Sequence, residues 1–174
     1  MRTGNGLLDL STPAIMGILN VTPDSFFDGG KFEGVDAALA QAETMLEEGA
    51  DIIDIGGMSS RPGASIISAD DEMSRVLPVI DAIHKRFADV ILSIDTIYSQ
   101  TAAAAIDAGA GIINDISAAA LDANIIQVAI DKKLPYILMH MQGKPQDMQT
   151  APVYDNVVQE VFQFLLTTTR SLEA

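Results

Sequence analysis

Four apolar segments of the sequence end in a side chain that can hydrogen-bond to a ligand. These terminal residues are Asn20, Asp95, Asn114 and His140. A fifth apolar segment ends in Gly56-Gly57 and opens a Ser/Pro/Gly loop that carries Arg61. A rigidly held aspartate can accept two parallel hydrogen bonds from an amino group and a neighbouring ring N–H, and an asparagine offers a donor and an acceptor together. These residues favour a flat heterocycle such as a pterin or a guanine as ligand, and the arginine favours a phosphate or carboxylate.

Each of these residues also has a structural interpretation, which the sequence leaves open. A carboxylate such as Asp95 often caps the next helix, and Asn114 can form a local turn. Arg61 can be a solvated surface charge. We expect His140 to pack against helix ends rather than act as a base. Structural roles are also expected for His84, Asp51 and Asp54.

The segments that would position these residues alternate between short apolar runs and longer amphipathic ones. The short runs are rich in β-branched residues and mostly continuous, which is typical of strands buried on both faces of a parallel sheet. They are residues 14–19, 51–55, 90–94, 111–113 and 135–139. The longer runs predict helices at 35–48, 68–86, 99–108, 122–132 and 154–172. Ser68 with Asp71 predicts a capping box, and Gly49 and Gly109 stand where helix C-caps are expected.

Repeated strand-then-helix units predict an α/β fold with a parallel sheet. Two architectures suit the pattern. A TIM-type (β/α)8 barrel at this spacing needs roughly 240 residues, so the 174 residues would supply about the first five units. A five-stranded doubly wound sheet is the alternative, but the turn after the first strand, residues 20–25, contains no G-x-G-x-x-G motif. In both architectures, chemistry gathers at the carboxyl ends of the strands.

Charge and composition narrow the classes of partner. The chain has 10 Lys+Arg against 24 Asp+Glu, a formal net charge of −14, which argues against general nucleic-acid or anionic-membrane binding. The sequence contains no Cys, so disulfides and thiolate metal sites are excluded. Neither a signal peptide nor an apolar run long enough to span a membrane is present, and we therefore expect a cytoplasmic protein.

Two long motifs and three short ones, in order, resemble the dihydropteroate synthase family. The long motifs are MGILNVTPDSFFDGG at residues 16–30 and GADIIDIGGMSSRPGA at 49–64. The short motifs are SIDT at 93–96, INDIS at 113–117 and LMHMQG at 138–143. Together they extend over nearly the whole chain, which makes the match far more specific than any one short pattern.

The resemblance implies that the whole enzyme is a (β/α)8 barrel. It also implies the reaction, in which 6-hydroxymethyl-7,8-dihydropterin diphosphate condenses with 4-aminobenzoate and diphosphate is released. It implies Mg²⁺ as cofactor, small-molecule substrates, no nucleic-acid or membrane partner, and a homodimer. Carried over by motif, the residues for the pterin diphosphate are Asn20, Thr22, Ser60, Asp95, Asn114 and Met139, with Asn20 also meeting the metal. Phe26 and Pro62 would lie on loops over the aminobenzoate, and Asp28 and Arg61 would be catalytic.

The sequence also departs from the family pattern. Met58 stands where the family often has Glu, no Lys-Ser dipeptide occurs, and residues 170–172 do not form Arg-x-His. We therefore expect residues 1–174 to be a single pterin-binding α/β domain, incomplete at its C-terminus. Such a domain is expected to lack synthase activity alone, and to self-associate or leave the loops after its first two strands disordered. A pterin-binding methyltransferase domain and a non-catalytic pterin-binding fragment are the alternatives.

Overall fold

A computed structural model describes residues 1–3, 6–22, 31–58, 66–143, 148 and 151–173. Its main feature is a five-stranded sheet. The strands of this sheet are β3 (Met16–Asn20), β4 (Ile52–Gly56), β5 (Ile91–Asp95), β6 (Ile112–Asp115) and β7 (Tyr136–Leu138). The helices are α1 (Lys31–Glu47), α2 (Ala69–Arg86), α3 (Ser99–Asp107), α4 (Asn124–Lys132) and α5 (Val157–Glu173). A small antiparallel hairpin, β1 (Arg2–Thr3) with β2 (Gly6–Leu7), precedes them.

The strand order in the sheet is the order of the strands in the chain, β3-β4-β5-β6-β7, and every pair is parallel. A doubly wound sheet reverses its strand order at a switch point, and this sheet has no such reversal within the described residues. Successive pairing of neighbouring βα units is the arrangement of a TIM-type barrel. The structure therefore decides between the two predicted architectures: the chain supplies five βα units of the barrel type.

The two faces of the sheet differ in chemistry because side chains alternate along each strand. One face is apolar and packs against the helices. It contributes Leu19, Ile53, Ile55, Leu92, Ile94 and Ile113 to a core shared with Val76, Val79, Ile80 and Ile83 of α2. The opposite face carries Asn20, Asp54, Ser93, Asp95 and Asn114, and there Ile18 is 63% exposed. On this face Asp54 and Ser93 are buried, whereas Asn20, Asp95 and Asn114, at the carboxyl ends of their strands, are half-buried.

The helix termini have the capping residues that the sequence predicts. Ser68 is the N-cap of α2: its hydroxyl accepts from the Asp71 N–H at 3.1 Å and donates to the Asp71 carboxylate at 2.6 Å. Gly49 and Gly109 adopt left-handed backbone angles, with φ of +103° and +123°, just after α1 and α3. Such angles suit glycine because a Cβ would be strained there. The predicted cap and both glycine termini are confirmed.

Some predicted boundaries were wrong by a few residues. The last helix begins at Val157 rather than 154, and the first strand begins at Met16 rather than 14. The hairpin near the N-terminus was not predicted, because strands of two residues are too short to show a periodic pattern. No helix among the described residues has the length and hydropathy needed to cross a membrane.

Candidate active site

Four residues lie in one row across the carboxyl-terminal edge of the sheet. Strand register pairs Asn20 with Gly56, Gly56 with Asp95, and Asp95 with Asn114. Residues paired in this way point to the same face. A Cβ at Gly56 would lie 3.3 Å from Asp95 Oδ2 and 3.5 Å from Asn20 Oδ1. The glycine therefore leaves a gap in the row that the two polar side chains border.

A hydrogen bond to Asp54 fixes the orientation of the Asn114 side-chain amide. Its Nδ2 donates to Asp54 Oδ2 at 2.9 Å, and Asp54 lies two residues before Gly56 on the same face of β4. This hydrogen bond uses one N–H of the Asn114 amide, which also has a second N–H and an acceptor oxygen. Asp54 is 4% exposed, and its Oδ1 has no hydrogen-bond partner in the described part of the chain. The structural role expected for Asp54 is therefore to orient Asn114, a candidate ligand-binding residue.

Asp95 lies in a strongly unfavourable environment for a negative charge. Burial raises the pKa of its carboxyl group to about 7, and the charges of Asp54, Glu72 and Asp115 act in the same direction. No described residue donates a hydrogen bond to this carboxyl group. A ligand that brings N–H donors would supply the missing partners and would stabilise the ionised form. A flat heterocycle with an amino group beside a ring N–H meets this requirement.

The neighbouring Asp115 has a different role. Its Oδ1 accepts from Ser117 N at 2.7 Å, and its Oδ2 accepts from Ala119 N at 2.7 Å and from the Tyr136 hydroxyl at 2.5 Å. The turn that it closes includes Ala118, at φ +53°. Both oxygens of the carboxylate therefore already accept hydrogen bonds within the chain, so Asp115 shapes the loop after β6 rather than binding a ligand.

Glu72 is a buried acid that sequence analysis missed. It is 0% exposed, and burial raises the pKa of its carboxyl group. A signal was available in the sequence: Glu72 lies on the buried stripe of α2 that continues through Val76, Val79, Ile80 and Ile83. An acid on the apolar stripe of an amphipathic helix points to a buried carboxyl group.

The other predicted site residues fall into two groups. Thr22 is buried just beyond β3, and Met139 is half-buried just beyond β7, so both lie at the same edge as the row. The predictions for Phe26, Asp28, Ser60, Arg61 and Pro62 concern residues outside the described part of the chain.

Both histidines pack against other residues of the chain. His140 lies edge-on to Phe164, with ring centroids 5.0 Å apart, and is tilted against Tyr154 at 5.9 Å. His84 packs so closely on Gly109 that a Cβ there would be 2.5 Å from His84 Cγ. Asp51 accepts from the Ile15 N–H at 2.8 Å at the other end of the sheet. The contacts of His84 and Asp51 are those of structural residues, whereas His140 contacts the middle of α5 rather than a helix end.

The residues at this edge are compatible with a divalent cation held mainly by a substrate. Within the described residues there is no cluster of three or more His, Cys, Asp or Glu side chains that could enclose a metal. Mg²⁺ commonly takes only one or two protein oxygens and is otherwise held by substrate phosphates and water. Asn20, whose Oδ1 lies at the open edge beside Gly56, fits the role of a single protein ligand.

Known proteins resemble this chain in sequence and in fold. A dihydropteroate synthase of Haemophilus influenzae is 50% identical over 165 residues, covering 95% of this chain and 59% of that protein. The Xanthomonas albilineans dihydropteroate synthase solved with 4-aminobenzoic acid superposes with a TM-score of 0.85 at 44% identity, over 95% of this chain and 58% of its own. The same enzyme in complex with 7,8-dihydropteroate gives a TM-score of 0.80 at 40% identity, over 95% and 57%.

The chain therefore spans nearly three fifths of the length of these bacterial relatives. The model of the pterin binding enzyme family matches residues 16–174, which include all five βα units and the whole polar row. The sequence alignment, the structural superposition and the family match all cover most of the chain. The chain belongs to the pterin binding enzyme family.

Proposed function

We propose that the chain forms the pterin-binding part of a dihydropteroate synthase. The reaction joins 6-hydroxymethyl-7,8-dihydropterin diphosphate to 4-aminobenzoate. The observation that carries the proposal is the row of Asn20, Gly56, Asp95 and Asn114, in which a buried carboxyl group has no described donor. The high identity to dihydropteroate synthases supports the assignment of the reaction.

Binding of the pterin is the step to which the described residues contribute most. Asp95 accepts hydrogen bonds from the N–H groups of the ring, and Asn114, held by Asp54, offers its amide oxygen and its second N–H. Met139 lies at the same edge and is assigned to the ring face. Because each hydrogen bond to a charged group contributes roughly 1.5–3 kcal/mol, loss of Asp95 should weaken binding strongly.

In the chemical step, the amine nitrogen of 4-aminobenzoate attacks the methylene carbon of the pterin. The new C–N bond forms as the C–O bond to diphosphate breaks, and the nitrogen then loses a proton to solvent. The aniline nitrogen is already nucleophilic, so no strong base is required. Mg²⁺, with Asn20 as a protein ligand, would supply neutralising charge to the leaving diphosphate.

The remaining roles are proposed from the family motifs. Thr22 and Ser60 are assigned to the phosphates, and Phe26, Asp28, Arg61 and Pro62 to loops that close over the aminobenzoate and exclude water from the reactive centre. The proposal also includes a cytoplasmic location and, from the family resemblance, a homodimer.

Two substitutions test the assignment. In an intact synthase that contains this chain, Asp95→Ala should weaken binding of a pterin at least tenfold, measured by calorimetry. Arg61→Ala should leave pterin binding nearly unchanged and act on turnover with aminobenzoate. Undiminished pterin binding by Asp95→Ala would contradict the proposed role of the row.

An assay of diphosphate release separates the candidate functions. The chain is mixed with both substrates and Mg²⁺, and released diphosphate and bound pterin are measured together. Pterin binding without diphosphate release is expected both of a part of a synthase, since the chain spans about three fifths of its relatives' length, and of a non-catalytic pterin-binding module. Diphosphate release that requires aminobenzoate would identify the synthase.

A further inference from the structure

Glu72 lies behind the candidate site, in the first turn of α2, and contacts the turns that follow two neighbouring strands. It is 0% exposed. Its Cγ would be 3.0 Å from a Cβ at Gly57, the residue after β4, so the two segments are in close contact. Its Oε2 accepts from the Thr96 hydroxyl at 2.5 Å, and Thr96 directly follows Asp95 at the end of β5. A buried carboxyl group in such a position costs free energy, which calls for a role that offsets the cost.

The hydrogen bond to Glu72 fixes the direction of the Thr96 hydroxyl. Its one proton is donated to Glu72, so its lone pairs remain free to accept, and Tyr98 N donates to it at 3.1 Å. Thr96 N in turn donates to Asn114 O at 3.0 Å. One residue thus ties the end of β5 to α2, to its own following turn, and to the backbone of the other pterin-binding candidate.

The same helix also holds the end of β4. Arg75, one turn after Glu72, donates from Nη1 to Gly57 O at 2.9 Å. A Cβ at Gly57 would be 2.8 Å from Val76 Cγ1, so the backbone of β4 approaches α2 as closely as glycine permits. The helix therefore contacts the turns after β4 and β5, the strands that carry Gly56 and Asp95.

We propose that Glu72 is a positioning residue for pterin binding, acting through Thr96 to hold Asp95 and Asn114 in the geometry that receives the ring. The inference rests on the proposed function and extends it to a side chain that does not touch the substrate. The required feature of Glu72 is its hydrogen-bond acceptor, and a glutamine can supply the same acceptor in the same shape. A methionine fills similar volume and supplies none.

Substitutions at Glu72 test this role by pterin fluorescence titration of the 174-residue chain. Glu72→Met should weaken pterin binding roughly tenfold, since it leaves the Thr96 hydroxyl without its acceptor. Glu72→Gln should bind within threefold of the original chain. Ile83→Ala, about three turns further along the buried stripe of α2, is the control for general loss of packing and should leave the affinity of the folded protein unchanged. Equal losses in Glu72→Met and Ile83→Ala, or failure of Glu72→Gln to restore binding, would overturn the proposal.

Thr96→Val removes the same hydrogen bond from its other end. If the two residues act as a pair, the double variant Glu72→Met/Thr96→Val should bind pterin about as weakly as either single variant. If the fold loss of pterin affinity in the double variant equals the product of the two single losses, the residues act separately and the proposal is overturned.

Amide hydrogen exchange tests the positioning role without any ligand. In Glu72→Met, exchange at Tyr98 N–H and Thr96 N–H should accelerate at least tenfold relative to amides of β3, whereas Glu72→Gln and Ile83→Ala should show no such local change. If the chain binds no pterin, the proposed function fails, but this exchange pattern still reports whether Glu72 holds the turn. Unchanged exchange in Glu72→Met would overturn the proposal whatever the ligand.

Discussion

The raised pKa of Asp95 predicts that the site residue destabilises the fold at neutral pH. Its carboxyl group has a pKa of about 7 instead of 3.8. Between these values the folded protein retains a proton that the unfolded chain has lost. Stability therefore falls as pH rises through this window, because the unfolded state binds fewer protons there. Asp95→Asn removes the titrating group while keeping the shape of the side chain, so this variant should be more stable than the original chain.

The magnitude follows from the size of the shift. Each pKa unit corresponds to about 1.4 kcal/mol, so the stability gap between Asp95→Asn and the original chain should widen by about that amount per pH unit. It should level off above pH 7 at roughly 4 kcal/mol. This magnitude already includes relief of the repulsion from Asp54, Glu72 and Asp115, which contributes to the raised pKa of Asp95. The gain should come with loss of pterin binding, since an amide is a poorer acceptor than a carboxylate for two N–H donors.

Urea unfolding of the two proteins at several pH values from 5 to 8.5 measures this gap. Asp89→Asn, at an exposed acid, controls for the change in net charge. The difference in unfolding free energy between the two proteins should grow with pH. A difference that does not depend on pH, or that is smaller at pH 8 than at pH 5, would refute the reasoning that burial and neighbouring carboxylates oppose ionisation of Asp95.

Two further predictions concern residues that stabilise the fold around the candidate site. Gly109→Ala and Gly49→Ala both place a Cβ at positive φ, but only the former meets a neighbour, at 2.5 Å from His84 Cγ, while nothing lies within 4 Å at Gly49. Thermal or urea unfolding should show Gly109→Ala to be the more damaging by about 1–3 kcal/mol, and equal losses would contradict the steric argument. Tyr136→Phe removes the hydroxyl that donates to Asp115 and should cost about 1.5–3 kcal/mol in unfolding free energy. A loss below about 0.5 kcal/mol would show that this contact contributes little.

The sequence was most informative where a pattern repeats. Continuous β-branched runs located all five strands of the sheet, and capping chemistry located Ser68, Gly49 and Gly109, because these signals depend on local conformation. The carboxyl-terminal row was expected from strand polarity, yet its register could not be read from the sequence. Register depends on which residues pair across strands, and this is decided by packing against the helices.

Two contributors to the site were not identified because their roles depend on distant residues. In the sequence, Asp54 is simply part of a predicted buried strand, and its partner Asn114 is 60 residues away in the chain. Glu72 reads as part of an acidic helix N-terminus, where exposed acids are common. Only its place on the buried stripe distinguishes it from Asp70 and Asp71, which are exposed.

The strictly sequential order of the strands has a consequence for synthesis. Each strand of the main sheet from β4 onward pairs with the strand made just before it, so a strand's partner has already emerged when the strand itself leaves the ribosome. The sheet can grow from its N-terminal edge as the chain lengthens, without waiting for a distant segment. The polar row would then be assembled from Asn20 to Asn114 in the same direction. During that growth the newest strand always presents a free edge, which is the stage at which this fold is most exposed to pairing with another chain.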